Sequence, residues 1–147
     1  MKKDNTSAPA SSWERLPELI RERGLRLTRQ RLFLAKLLFE DQKNRHITAA
    51  DLVRETDKHK MRMSLATIYN TLHQFVEIGL LREVVIDSKA TYFDTNLSDH
   101  HHFFHEETGE LVDISQGEVG IGTLPAPPPD SKISRVNVVI HLQEKDS

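Results

Sequence analysis

Ser64-Leu65-Ala66-Thr67-Ile68-Tyr69-Asn70-Thr71-Leu72-His73-Gln74-Phe75-Val76-Glu77-Ile78-Gly79 is the most regular stretch of the chain. Leu65, Ile68, Leu72, Phe75 and Val76 recur at helical spacing, Ser64 stands where an N-cap belongs, and Gly79 stands where a helix stops. The stretch therefore predicts a helix with one apolar face. Its other face carries Ala66, Thr67, Tyr69, Asn70 and His73, with no acid until Glu77. Small, hydroxyl and amide side chains suit a surface that lies in a DNA major groove, whereas an ordinary solvated face is richer in Glu and Lys.

The flanking sequence completes a unit. Leu16 to Gly24 predicts a short helix, with Pro17 in its first turn, acids early and glycine past its end. Thr28 can cap a second helix, in which Phe33, Leu34, Leu37 and Leu38 are spaced for one face. Thr48-Ala-Ala-Asp51 resembles a capping box that opens a third helix running to about Lys58 and burying Leu52 and Val53; His46 would begin this region. After the fourth helix, Leu81 to Ile86 and Thr91 to Asp94 read as strands joined by residues 87–90. Helices followed by a hairpin assemble naturally as a winged helix-turn-helix.

A second pattern begins past Asn96. Asp99-His100-His101-His102-Phe103-Phe104-His105 holds four of the eight histidines within six residues. In an extended backbone His100 and His102 share one face while His101 takes the other. Imidazole binds borderline metals and haem iron, and Phe103 and Phe104 offer an apolar contact for a haem ring. The bland alternative is a solvated His-rich loop or tag; against it, the run is internal and flanked by strand-like sequence. Phe103 to His105 and Leu111 to Ile114 read as short strands around a Thr108-Gly109 turn. Residues 115–131 read as a frayed element and a stiff Pro-rich linker, and Val136 to Leu142 as a strand interrupted by Val139.

Composition sets bounds on these readings. The chain has 147 residues, 37% of them apolar, enough for one medium domain or two small ones. It contains no cysteine, so disulfides, thiolate zinc sites and cysteine nucleophiles are excluded and any metal falls to His and carboxylates. No apolar run approaches the ~20 residues of a membrane span, and a cytoplasmic location is expected. Residues 1–95 hold 17 Lys/Arg against 13 Asp/Glu, whereas residues 96–147 hold 3 against 9. The basic half favours a polyanion and the acidic, His-rich half a cation. Some 50 residues with few apolar side chains cannot close a core alone, which argues for completion by a second subunit.

Four blocks in order, Gly24-Leu-Arg26-Leu-Thr28-Arg-Gln30-Arg31, His46-Ile-Thr-Ala-Ala-Asp51-Leu52, Ser64-Leu-Ala-Thr67-Ile-Tyr69-Asn-Thr-Leu72 and the histidine cluster followed by Gly109, resemble the ferric uptake regulator (Fur) family. Within it, the cysteine-free pattern with three consecutive histidines is most similar to the iron response regulator (Irr) branch. The resemblance implies an α+β protein: a disordered leader (1–12), an N-terminal winged-helix DNA-binding domain (13–95), and a small C-terminal α/β domain (96–147) for dimerisation and metal or haem sensing. It implies a homodimer on double-stranded operator DNA, no membrane association, and no enzymatic activity. Metal ligands carried over are His46, Asp94, His100, His102 and Asp113, for Fe²⁺, Mn²⁺ or Zn²⁺. His100, His101 and His102 are the implied haem site. His101, with Glu118, would match a second metal site of the family. The implied DNA contacts are Arg26, Thr28, Ser64, Thr67, Tyr69 and Asn70.

The departures are equally specific. The family's structural zinc site uses two Cys-x-x-Cys pairs; the first falls on His105 and Thr108 and the second has no counterpart, so that site is expected to be absent. Asn70 stands where the family commonly has Arg, which predicts a different base preference. The Cys-Pro haem motif of some Irr-like proteins cannot form. The function implied is a transcription regulator, mainly a repressor, of iron and haem homeostasis, active under iron limitation and released from DNA by haem; the alternative is a Fur-type repressor activated by a divalent cation. A small metallohydrolase is the reading from another class, but no His-Glu-x-x-His helix is present.

Overall fold

The computed structural model describes residues 12–41, 43–87 and 90–146. The expected leader, apart from Ser12, and Ser88-Lys89 of the hairpin connection lie outside the described residues. The chain divides into two compact units between Leu97 and Ser98.

The N-terminal unit opens with a 3-10 turn, Ser12–Arg15, followed by α1 (Leu16–Glu22), α2 (Arg29–Phe39), β1 (His46–Ile47), α3 (Ala49–Lys58), α4 (Leu65–Glu77), β2 (Arg82–Asp87) and β3 (Ala90–Asp94). The helices start where their caps predict. Thr28 Oγ1 accepts from Arg31 N–H at 3.1 Å, Thr48 and Asp51 exchange both bonds of a capping box, and Ser64 Oγ accepts from Thr67 N–H at 3.1 Å. They stop in closed turns. Leu25 N–H reaches Ile20 O and Leu80 N–H reaches Phe75 O, with Gly24 and Gly79 at φ +89° and +79°. Lys60 occupies the same left-handed position after α3, at φ +59°, with Met61 N–H on Thr56 O.

The core follows from the apolar stripes. Ile20 of α1, Leu34 and Leu38 of α2, Leu52 of α3, Ile68, Leu72 and Phe75 of α4 and Phe93 of β3 are fully buried in one cluster. One residue of the α4 stripe departs from expectation: Leu65 is 55% exposed. It sits in the first turn beside the Ser64 cap, at the solvated edge of the stripe, and not over the core.

The N-terminal sheet has strand order β1-β3-β2, all antiparallel. Strand β1 differs from the sequence expectation, which placed His46 at the start of a helix. Two residues give no periodicity to read, and the strand exists because His46 and Ile47 pair with Asp94 and Phe93 of β3.

The C-terminal unit is a three-stranded sheet of order β5-β4-β6, with β4 (His101–His105) antiparallel to β5 (Leu111–Ile114) and parallel to β6 (Val139–Leu142). Gly109, at φ +75°, turns β4 into β5. The helical content of this unit is a 3-10 turn, Gln116–Glu118. The expected strand over Val136 to Leu142 is shorter, and Ile140 is exposed. The reason is local: Val138 N–H donates to His101 Nδ1 at 3.1 Å, so a side chain takes the donor that a longer β-ladder would have used. No helix among the described residues is long and apolar enough to cross a membrane.

Replacing Phe75 with Ala should destabilise the protein by about 3–5 kcal/mol, read as a shift in denaturant midpoint. Leu65→Ala in the same helix should stay within about 0.5 kcal/mol of wild type. Equal losses would contradict the orientation of α4.

Candidate functional site

Two groups of chemistry-bearing side chains lie in the N-terminal unit. On α4, the Ser64 hydroxyl serves as the N-cap and also donates to Thr67 Oγ1 at 2.9 Å. Behind it Ala66, Tyr69 and Asn70 are exposed, Tyr69 by 40%, and Thr67 is half-buried. This is the polar, acid-free face expected from sequence. Tyr69 is held on one side: its ring meets His73 edge-on at 4.5 Å and Phe93 at 6.1 Å, while His73 Nε2 lies 3.6 Å from Glu83 Oε2. Arg26 is exposed in the turn before α2, and Thr28 is the α2 cap. The Thr28 and Ser64 hydroxyls thus take the capping roles that the sequence assigned them, in addition to the DNA contacts that the family resemblance implies for both.

The second group is His46 and Asp94, opposite one another across β1 and β3. His46 Nε2 lies 3.2 Å from Asp94 Oδ2, and Asp94 Oδ1 accepts from Asn96 N–H at 2.9 Å. Asp94 is fully buried. Neighbouring bonds fix the strand end: Arg45 N–H donates to Thr95 Oγ1 at 2.8 Å, Thr95 N–H returns to Arg45 O at 3.0 Å, and the Arg45 guanidinium reaches Leu37 O and Glu55. A buried carboxylate facing an imidazole with its backbone pinned is a pre-organised pair of metal donors.

In the C-terminal unit His100, His101 and His102 are all buried. His100 Nδ1 lies 2.5 Å from Ser98 O; a carbonyl only accepts, so the ring hydrogen sits on Nδ1 and the neutral ring presents a bare Nε2. That Nε2 is 3.2 Å from Asp113 Oδ1, and His102 Nε2 is 3.4 Å from the same oxygen. Lone pairs converging on a carboxylate oxygen repel unless a cation or proton lies among them. A ring anchored through its other nitrogen to a backbone carbonyl is the usual posture of a metal-ligating histidine. The donor set fits a borderline divalent cation.

His101 is different. Its Nδ1 accepts the Val138 N–H, which places the ring hydrogen on Nε2 and leaves the neutral ring no bare nitrogen. Thr108, where the family's structural zinc site would have a cysteine, accepts from Glu110 N–H at 3.2 Å within the β4–β5 turn. Arg31 and Gln74 were not singled out from sequence, yet both belong with the α4 surface. The signal was available for Gln74, which lies four residues past Asn70 and seven past Thr67 on the same helical stripe.

Comparison with known proteins agrees with this arrangement. The sequence matches the model of the ferric uptake regulator family over residues 22–121, a span that includes every proposed ligand and DNA-contact residue. It is similar to the peroxide operon regulator of Bacillus subtilis (strain 168), 35% identical over 97 residues that make up 66% of this chain and 66% of that protein. The match therefore spans just under two thirds of that curated relative's length. The fold is similar to the ferric uptake regulator from Pseudomonas aeruginosa with manganese, at a TM-score of 0.66 and 22% identity, covering 88% of this chain and 98% of that one. It is likewise similar to the Vibrio cholerae ferric uptake regulator (Fur), at 0.67 and 21%, covering 87% and 98%. With the family model covering both the winged helix-turn-helix and the histidine strand, the chain belongs to the ferric uptake regulator family.

Proposed function

We propose that this protein is a metal-responsive, DNA-binding transcription regulator, acting as a repressor in the cytoplasm and not as an enzyme. The observation that carries this reading is the presence, in one chain, of a winged helix-turn-helix with a polar exposed α4 face and of metal donors in each unit. His100, His102 and Asp113 supply three donors and His46 and Asp94 two, so neither half alone fills a shell of four to six. An Fe²⁺, Mn²⁺ or Zn²⁺ ion held by these donors would stabilise the metal-loaded form of the chain and, if that form binds DNA better, raise the population competent to bind it. The similarity to metal-containing Fur structures supports the same choice of effector. Haem release, the finer reading from sequence, has less support. Haem needs room for its macrocycle beside the ligating imidazole, and all three rings are buried, with the hydrogen of His101 on Nε2.

Chelator competition with Zn²⁺ or Mn²⁺ on the full chain should give one tight site per chain. His46→Ala, His100→Ala and Asp113→Asn should each weaken it at least about ten-fold, while His101→Ala should not. An unchanged affinity in His46→Ala would confine the ion to the C-terminal half. A haem titration that shifted the absorption spectrum and released DNA in wild type, but not in a His100/His101/His102 triple Ala variant, would restore haem as the effector.

On DNA, Tyr69→Ala should relax base discrimination by ~1–3 kcal/mol. Arg26→Ala should instead weaken all sequences and lower the salt slope by about one. Wild-type behaviour from both variants in fluorescence anisotropy would remove α4 and the turn before α2 from the interface.

The homodimer has its own support. Val112, Phe103 and Ile140 form a row across β5, β4 and β6 by strand register, and Val112 and Ile140 are 38% and 37% exposed. A second copy laid on this row would complete a core too small to stand alone. Light scattering should give a dimeric mass for wild type and a monomeric one for a Val112→Asp/Ile140→Glu double variant. A monomeric wild type at micromolar concentration would exclude the dimer.

A further inference from the structure

The turn that carries Arg26 and the helix that carries Thr67, Tyr69 and Asn70 are joined by one side chain. From the first turn of α2, Arg31 Nη1 donates to Arg26 O at 2.6 Å and Arg31 Nε donates to Gln74 Oε1 at 3.2 Å. The Arg31 backbone N–H is meanwhile held by Thr28 Oγ1 at 3.1 Å, so the guanidinium starts from a fixed root. A planar guanidinium presents its donors in a rigid fork, and two acceptors on different segments gripped by one fork are held at a set separation. Leu25 and Leu27, on either side of Arg26, pack against the core and set the turn roughly, and the fork adds the polar link from that turn to α4. Thr28, Arg31, Thr67, Asn70 and Gln74 line an open polar cleft of about 290 Å³, large enough for several waters and without the interlocked apolar packing that joins the two helices deeper in the core.

We infer that Arg31 and Gln74 form a positioning strut that fixes the α4 reading face relative to Arg26, and that the pair thereby sets DNA sequence selectivity without touching a base. The inference rests on the DNA-binding reading proposed above. Its physical basis is that Arg26 would supply a positive charge to the DNA backbone or minor groove, a largely electrostatic contact, whereas Thr67, Tyr69 and Asn70 would meet base edges whose positions differ by ångströms between registers. Backbone contacts tolerate small displacements of the helix because one phosphate charge is much like the next. Hydrogen bonds to base edges do not, since they weaken steeply with distance and angle. Loss of the strut therefore degrades discrimination and leaves electrostatic affinity in place. A residue important only for folding would instead lower both affinities together with stability.

Gln74 is the better member to change, because it is uncharged and half-buried on a helix whose fully buried residues are others. Gln74→Met keeps length and helix propensity while removing the acceptor; Gln74→Glu keeps an acceptor and adds negative charge. Arg31→Lys retains the charge and loses the fork. The probe is a duplex selected by the wild-type full chain from a randomised pool, compared with a scrambled duplex of equal length over a range of salt concentrations. Gln74→Met and Arg31→Lys should lose roughly ten-fold in affinity for the selected duplex, the scale of one charge-assisted hydrogen bond, with scrambled-duplex affinity, salt slope and thermal midpoint unchanged. Gln74→Glu should weaken both duplexes equally and keep the wild-type ratio. Unaltered selectivity in Gln74→Met, or a lost ratio in Gln74→Glu, would overturn the strut while leaving the regulator reading intact. A wild type that selects no sequence would defeat that reading, and the strut with it.

Discussion

Asp94 is a carboxylate with no exposure to solvent at the end of the central strand of the N-terminal sheet, and much of the unit is arranged around it. Removing such a charge from water costs on the order of several kcal/mol unless donors surround it. The Asn96 N–H and the His46 ring answer that demand, and His46 is there only because β1 pairs with β3 in register. The residue before it, Phe93, turns to the opposite side of the strand, is buried in the helical core, and stands edge-on to Tyr69. A two-residue strand end therefore joins a proposed pair of metal ligands, the core, and a proposed base-contacting side chain. A cation that drew Asp94 and His46 together would act on a strand whose Phe93 stands against Tyr69 and His73 of α4.

The helix ends show how polar residues divide between architecture and recognition. Thr28, Thr48 and Ser64 each satisfy a backbone N–H that would otherwise be left unpaired at a helix start, a contribution of about 1 kcal/mol apiece. A capping hydroxyl retains its own hydrogen, which Ser64 gives to Thr67 Oγ1 and Thr28 can still offer to a phosphate, but the presence of both is explained by the helix alone. Tyr69, Asn70 and Arg26 have no comparable structural duty, and exposed side chains without one are the stronger candidates for contact.

The C-terminal unit applies the same logic with less material. Its three short strands bury Leu111 and Ile114 and three histidines, which is little apolar surface for independent stability. The histidines differ by what holds their second nitrogen. The Ser98 carbonyl holds Nδ1–H of His100 and turns Nε2 toward Asp113, whereas the Val138 N–H holds Nδ1 of His101 and puts the ring hydrogen on Nε2. Adjacent residues of one run are thus given unlike roles by the alternation of a strand and by the strand beside it.

The sequence by itself determined the four helices, their caps and their stops, because those signals are local: a hydroxyl before a helix, a glycine after it, and apolar side chains three and four residues apart. It determined the hairpin and the two β segments around Gly109 for the same reason. It also carried the family resemblance, since the blocks quoted above are contiguous in the chain. Only the tertiary structure decided that His46 lies on a strand opposite Asp94, that Val138 ends β6 early by bonding to His101, and that Arg31 spans from Arg26 to Gln74. Each of these joins residues distant in sequence or depends on which of two ring nitrogens carries a hydrogen. Periodicity is blind to both, because it records the neighbours along a chain and not the partners across a fold.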